Sequence, residues 1–276
     1  IGDKVIFETF DCFRDQLKKD EDLADFIDMS HINPNTGPLF IKGAEAGDIL
    51  VVKILDIKVE DHGVLTLIPG EGKLRHYVKS PVTKIVKIEN NQAFFSEDII
   101  IKNKPHVGTI GTTPFGRIPT GLIGMHGGNM DCPEAGPGAK IYFPIFVKGA
   151  LLQMGDVHAN MGEGEIHIGL ECAAEITIEI VEVIKDKFIP APIIESKDYW
   201  YLVSNAPSLK EAVRIGAKRM ADFISDRLEI SLEDATLLVS IAGNVRIGQD
   251  AEADYDVSVY VQFPKYVDKR GRLDKF

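Results

Sequence analysis

The sequence of 276 residues predicts a β-rich α+β protein, with a β-sandwich- or barrel-like N-terminal two thirds followed by a smaller α+β part. Three observations predict it. Several short stretches before residue 190 alternate apolar with polar residues, the period of a strand with one face in a core. Glycine and proline stand at the junctions between these stretches. Beyond residue 208 the apolar spacing becomes that of helices. A β-rich domain over residues 1–191 and an α+β part over 192–276 are expected, with a soft boundary that also allows one continuous domain.

The elements follow in order. "GDKVIFETF" opens with a short apolar run. "GDILVVKILDIKVED", residues 47 to 61, begins with β-branched residues and then sets Leu55, Ile57 and Val59 against Asp56, Lys58 and Glu60. "TKIVKIE" and "KIYFPIFV" match it in length and composition. "AAEITIEIVEVI" sets Ile176, Ile178 and Ile180 against Thr177 and Glu179. After "IPAPIIESKDY", Ser208 and Glu211 have capping-box spacing, and Leu209, Ala212, Val213, Gly216, Met220, Phe223 and Ile224 recur on one helical face. A second helix is expected from Ser231 to Gly243, after which "YDVSVYVQFP" returns to strand. The acidic stretch "KKDEDLADFID", residues 18 to 28, reads as a solvated face or loop.

Composition narrows the function classes. A hydrophobic content of 45% and a charged content of 26% are ordinary for a soluble globular enzyme. The net charge of -11 argues against nucleic-acid partners, which demand a basic footprint. No apolar run approaches the roughly 20 residues that span a bilayer, and none has the form of a secretory signal. Three cysteines do not make a disulfide framework. A cytoplasmic setting without membrane partners is the expectation.

Two stretches concentrate chemistry. Residues 111 to 138 carry eight glycines and four prolines around Phe115, Ile118, Leu122, Ile123 and Met125. A segment of that length without regular structure is usually functional or disordered, and the apolar residues argue for a packed, functional one. Within it, "HGGNMDC" holds His126, Asn129, Asp131 and Cys132. The second stretch, "MGDVHANMGEGEIHIGLEC", holds Asp156, His158, Glu163, Glu165, His167, Glu171 and Cys172. Asp156 and His158 flank Val157, so an extended backbone points both to one face, half of a metal site. Any one of these histidines has an ordinary reading as a surface or hydrogen-bonded residue, and Glu163 and Glu165 as residues of a solvated hairpin. Their density, not any pair, points to a site.

"IPTGLIGMHGGNMD", "IYFPIFVKGALLQMGDVHANMGEGE" and "GLECAAEITIEI" resemble the acetamidase/formamidase family, with "NPNTGPLFIKGAEAGDILVVKILDI" and "LLVSIAGNVRIGQ" in support. The resemblance runs from about Gly2 to about Tyr266. It implies hydrolysis of small aliphatic amides to ammonia and a carboxylate, on a β-rich fold that forms homo-oligomers, a dimer or tetramer. It places the family's acidic and histidine positions on His126, Asn129, Asp131, Asp156, His158, Glu163, Glu165 and Glu171, near a divalent metal, zinc or calcium. Relatives carry a further segment before the position of Gly2, and often a cysteine at the position of His167.

On that reading Asp131, Asp156, His158 and Glu171 hold the metal, and Glu163 or Glu165 moves a proton from water to nitrogen. Asn129 or His126 donates to the oxyanion. The pocket is expected to be small and closed, walled by the glycine-rich segment. Two rivals are an amidase with Cys132 or Cys172 as nucleophile, with Lys140 or Lys148 nearby, and a non-enzymatic β-rich module holding calcium through its carboxylates.

Overall fold

The computed structural model describes residues 1–250 and 256–276 as two stacked antiparallel sheets with two helices on the outer face of one of them. The first sheet runs in spatial order Lys4–Thr9, Ala174–Ile184, Ile49–Val59, Lys140–Pro144, Ile193–Glu195, Tyr199–Ala206, Val257–Pro264 and Asn244–Ile247. The second runs Ile100–Lys102, Gln92–Phe94, Val82–Glu89, His62–Leu67, Glu171–Cys172, Leu152–His158, His106–Gly111, Gly127–Asn129 and Ile123–Gly124. A tenth strand, Asn35–Leu39, pairs with Leu152–His158 from outside that order.

Strand periodicity sorts residues between layers. Leu50, Val52 and Ile54 enter the core between the sheets, whereas Ile49 and Val51 face the helices. Tyr201 and Val203 likewise face inward while Trp200 and Leu202 face the helices. These strands are therefore buried on both faces. Ile176, Ile178 and Ile180 are buried as their alternation predicts. Leu55 is not: the register shifts at that point, so that Asp56 pairs with Thr177 and Ile54 with Ile178. The extra residue of this bulge exchanges the inward position of Leu55 for Ile54.

The first helix, α1 (Leu209–Leu228), starts where Ser208 accepts the Glu211 amide. The Glu211 carboxylate turns to Arg214 rather than completing the capping box. The second, α2 (Leu232–Ala242), is capped by Ser231 and stops at Gly243. Ala212, Gly216, Met220 and Ile224 of α1 are buried against the eight-stranded sheet. That sheet crosses residue 191 without a break, since Ile193–Glu195 pairs with Lys140–Pro144. Tyr255 of the last expected strand lies outside the described residues. Among the described residues no helix is long and apolar enough to cross a membrane.

Candidate active site

The strand Leu152–His158 carries the centre of the site. Strict alternation would put Asp156 and His158 on the face of Leu152 and Met154, which is the core. Instead Val157 joins Leu152 and Met154 there. Asp156 has a φ of 57°, a left-handed conformation that aspartate visits more readily than most residues. This one residue resets the phase of the strand, and Asp156 and His158 meet outside the core. Nε2 of His158 lies 3.8 Å from Oδ1 of Asp156 and 3.0 Å from Oε1 of Glu171. Glu171 is the cross-strand partner of His158. Asp131 arrives from the glycine-rich segment, with Oδ1 4.0 Å from Nδ1 of His158. Asp131 and Glu165 also have positive φ, 43° and 36°. Backbone strain at three members of one cluster is the pattern of a functional site.

Two glycines let the cluster close. A Cβ on Gly108 would lie 2.6 Å from Oδ1 of Asp131 and 2.8 Å from Oδ2 of Asp156. One on Gly169 would lie 2.7 Å from the His158 ring. A second histidine orients the first. Nδ1 of His106 is 3.4 Å from the Lys104 carbonyl, which can only accept, so Nδ1 is assigned the hydrogen. Nε2 of His106 then accepts from Nδ1 of His158 at 3.2 Å and leaves Nε2 of His158 facing the carboxylates.

No lysine or arginine pairs with Asp131, Asp156, Glu165 or Glu171 among the described residues. Asp131 is fully buried, and among the described residues neither of its oxygens has a hydrogen-bond partner, nor has Oε2 of Glu171. Burial pushes Glu165 and Glu171 up to about 8, with neighbouring carboxylates adding to the rise and His158 opposing it. Burial, then the charges of Glu165 and Asp156, raises Asp131 well above the usual carboxylate range. Burial alone would lower His158, but Glu171, Asp156 and Glu165 reverse this and hold it well above its ordinary value. His106 is pushed well below by burial and by the His158 charge. Asp131, Asp156 and His158 bring one potential ligand atom each within 4.8 Å of one another, as do His158, Glu165 and Glu171. Acidic and histidine groups able to hold a metal ion are thus present.

Three of these carboxylates, without Asp131, line a cavity of about 550 Å³, not the small closed pocket expected. Asp156, Glu165, Glu171 and Asn129 border it, with Pro119 and Leu122 of the glycine-rich segment. The Asn129 side-chain oxygen accepts from the Thr109 hydroxyl at 2.5 Å and from the Asn33 amide at 3.5 Å, and its own amide hydrogens have no partner among the described residues. Two expected residues are elsewhere. Glu163 is exposed and ion-paired with Arg246, because the left-handed Gly164 and Glu165 turn the chain between them. His126 is buried in a separate cavity of about 60 Å³ beside Asn35, Thr112 and Gln153. His167 borders the site, its Nε2 accepting the Ile68 amide at 3.1 Å and so anchoring that wall.

Cys132 lies in the core between the sheets, and Cys172 packs with Val86, Ile88, Ala93 and Leu170. Burial pushes both thiols up, and neither lines the cavity. Sequence reasoning missed Cys12, Asn33, His106 and Gln249. Asn33 donates to Oδ2 of Asp156 at 3.4 Å, and Gln249 donates to the Asn129 carbonyl at 3.3 Å. Asn33 in "SHINPNTG" and Gln249 in "RIGQDAE" stand among other polar residues, and no sequence signal marks them.

The chain is similar to proteins of known family and structure. The chain is 38% identical to an acetamidase of Bacillus halodurans of known structure, covering 96% of this chain and 90% of that one with a TM-score of 0.93. It is 25% identical to a formamidase of Methylophilus methylotrophus over 72% of this chain and 66% of that one. An acetamidase of Mycolicibacterium smegmatis is 25% identical over 51% of this chain and 50% of its own. The chain therefore spans half to two thirds of the length of the curated relatives it matches. A sequence profile of the Acetamidase/Formamidase family matches residues 1–123 and 118–199. With two thirds of its length matched in this way, the chain belongs to the acetamidase/formamidase family.

Proposed function

We propose that this protein hydrolyses small linear amides of the formamide and acetamide type to ammonia and a carboxylate, with activated water as nucleophile. One observation carries the reading: a carboxylate, Asp131, is buried with no partner on either oxygen among the described residues, beside Asp156 and His158, and Asp156 and Glu171 line a cavity. Leaving such oxygens unpaired costs several kcal/mol, about the penalty for a buried ion without a counter-charge, unless a cation compensates. The donor set fits one. Asp131, Asp156 and His158, with Glu171, would hold a divalent metal, and an imidazole among the donors suits zinc better than calcium. When bound, such an ion supplies Lewis acidity, which lowers the pKa of water and polarises a carbonyl.

The residues of the chain do the rest. Glu165, which borders the cavity beside His158 and Glu171, is placed to take a proton and return it. It receives the proton as the water oxygen bonds to the carbonyl carbon and passes it to nitrogen as the C–N bond breaks. The Asn129 amide donates to the oxygen on which charge gathers. Glu163, neutralised by Arg246, is too exposed for this work. Cys12 lines the cavity, but burial and the charges of Glu171 and Asp156 push its thiol up, so it is a poor nucleophile.

Assembly as a homo-oligomer belongs to the same reading, supported by exposed Ile99, Ile100 and Ile101 at the open edge of the ten-stranded sheet. Three free cysteines support a reducing, cytoplasmic setting. The test is ammonia release from formamide and acetamide by the full chain, with metal content measured on the same sample. Turnover that falls on chelation and returns with zinc is expected. Silence on every amide by metal-replete protein would sink the hydrolase and favour a binding module.

A further inference from the structure

The cavity is far larger than the smallest amides require. Acetamide, with four heavy atoms, displaces roughly three waters at about 30 Å³ each, against a cavity of about 550 Å³. Its lining is mixed. Asn33, Asn129, Asp156, Glu165 and Glu171 bring the polar groups of the candidate site to it, and Phe13, Ile32, Ile68, Ile168 and Leu122 bring apolar ones, with Thr66, Glu71 and His167 beside them. The apolar residues are built into the fold, since Phe13 is buried in a cluster that Ile32, Ile68 and Ile168 pack against. Formamide and acetamide engage the polar groups and leave the apolar ones wet. An apolar group tethered to the amide would displace that water, at about fourfold in affinity per methylene buried.

Resting on the hydrolase reading above, we infer that the preferred substrates are amides carrying an apolar substituent of roughly four to eight carbons, which lies against Phe13, Ile32, Ile68 and Ile168 while the amide sits beside the carboxylates. The chemistry is unchanged: the C–N bond breaks, a C–O bond from water forms, and the proton of water leaves with the amine or ammonia. Since the apolar group stays buried through the reaction, its contribution appears in kcat/KM, chiefly through KM.

The experiment compares kcat/KM of zinc-loaded full-length protein on acetamide, hexanamide, phenylacetamide and N-butylacetamide. The first two substituted amides extend the acyl side and the last extends the nitrogen side. At least one should exceed acetamide about tenfold or more. Ile168→Ala, which removes part of the wall, should lower the ratio of the best substituted amide to acetamide by about fivefold, mainly by raising KM. Ile32→Ala replaces it if thermal melting shows that the first variant does not fold. Turnover of acetamide at or above all three larger amides would overturn the inference and leave the hydrolase intact. Failure on acetamide and on every larger amide would overturn both.

Discussion

In the eight-stranded sheet, buried Glu195 accepts a 2.6 Å hydrogen bond from Nζ of Lys265 and a 2.7 Å bond from the Tyr142 hydroxyl, with Nζ of Lys140 3.6 Å away. Lys265 in turn lies over the Trp200 ring at 4.7 Å. In the candidate site, Asp131, more deeply buried still, has no partner on either oxygen among the described residues and shares its surroundings with three more carboxylates and one charged imidazole. The first carboxylate is neutralised from within the chain, as a structural ion pair must be. The second is left for something from outside. The difference separates a carboxylate that serves the fold from one that serves chemistry, and it is expected to come at the expense of stability in the metal-free protein.

The largest effect should come from breaking the second region. Asp156→Asn and His158→Ala are each expected to reduce kcat/KM for acetamide, per folded molecule, by about 100-fold or more, and His158→Ala should also lower the melting temperature because it strips buried Glu171 of its partner. Near wild-type turnover by either would move the site elsewhere.

The comparison itself is tested by two matched substitutions. Glu195→Gln leaves Lys265 without its counter-charge and should cost about 3 kcal/mol of stability. Asp131→Asn replaces a buried carboxyl group that the chain leaves unpaired among the described residues, and should stabilise the metal-free protein by on the order of 1–2 kcal/mol, read as a raised melting temperature, while abolishing the gain that added zinc confers. Destabilisation of the metal-free protein by both would show that Asp131 is held by the chain after all.

The smallest effect is expected at Cys172, which lies outside both regions. Cys172→Ala should cost on the order of 1 kcal/mol for the cavity it leaves and little turnover per folded molecule. Mass spectrometry after quenching turnover of a slow amide should find no acyl adduct on any cysteine. An adduct on Cys12, Cys132 or Cys172 would replace activated water with a thiolate mechanism.

Much of this was legible locally. The alternation over Ala174–Ile184 and the caps at Ser208 and Ser231 follow from side-chain period and from a hydroxyl's ability to accept an amide, neither of which depends on distant residues. Asp131, Asp156, His158 and Glu171 stood out because carboxylates and imidazoles dispersed among glycines serve no core. The Leu55 bulge was not legible, since alternation continues past it and only the partner strand shows the shift. Short strands such as Glu171–Cys172 and Gly127–Asn129 gave no periodic signal.

Chain chemistry alone thus determined a β-rich fold with a helical C-terminal layer and the inventory of groups from which a site could be built. Which of those groups meet was decided by tertiary structure. Glu163 and Glu165 are two residues apart with the same side chain, yet one pairs with Arg246 at the surface and the other joins His158 and Glu171. His106 reaches His158 through strand register, and Asn33 reaches Asp156 across 123 positions of sequence. A side chain's reach is a few ångströms, so its partners are set by register, by bulges and by single left-handed residues such as Asp156, and these are fixed only when the sheets close on their core.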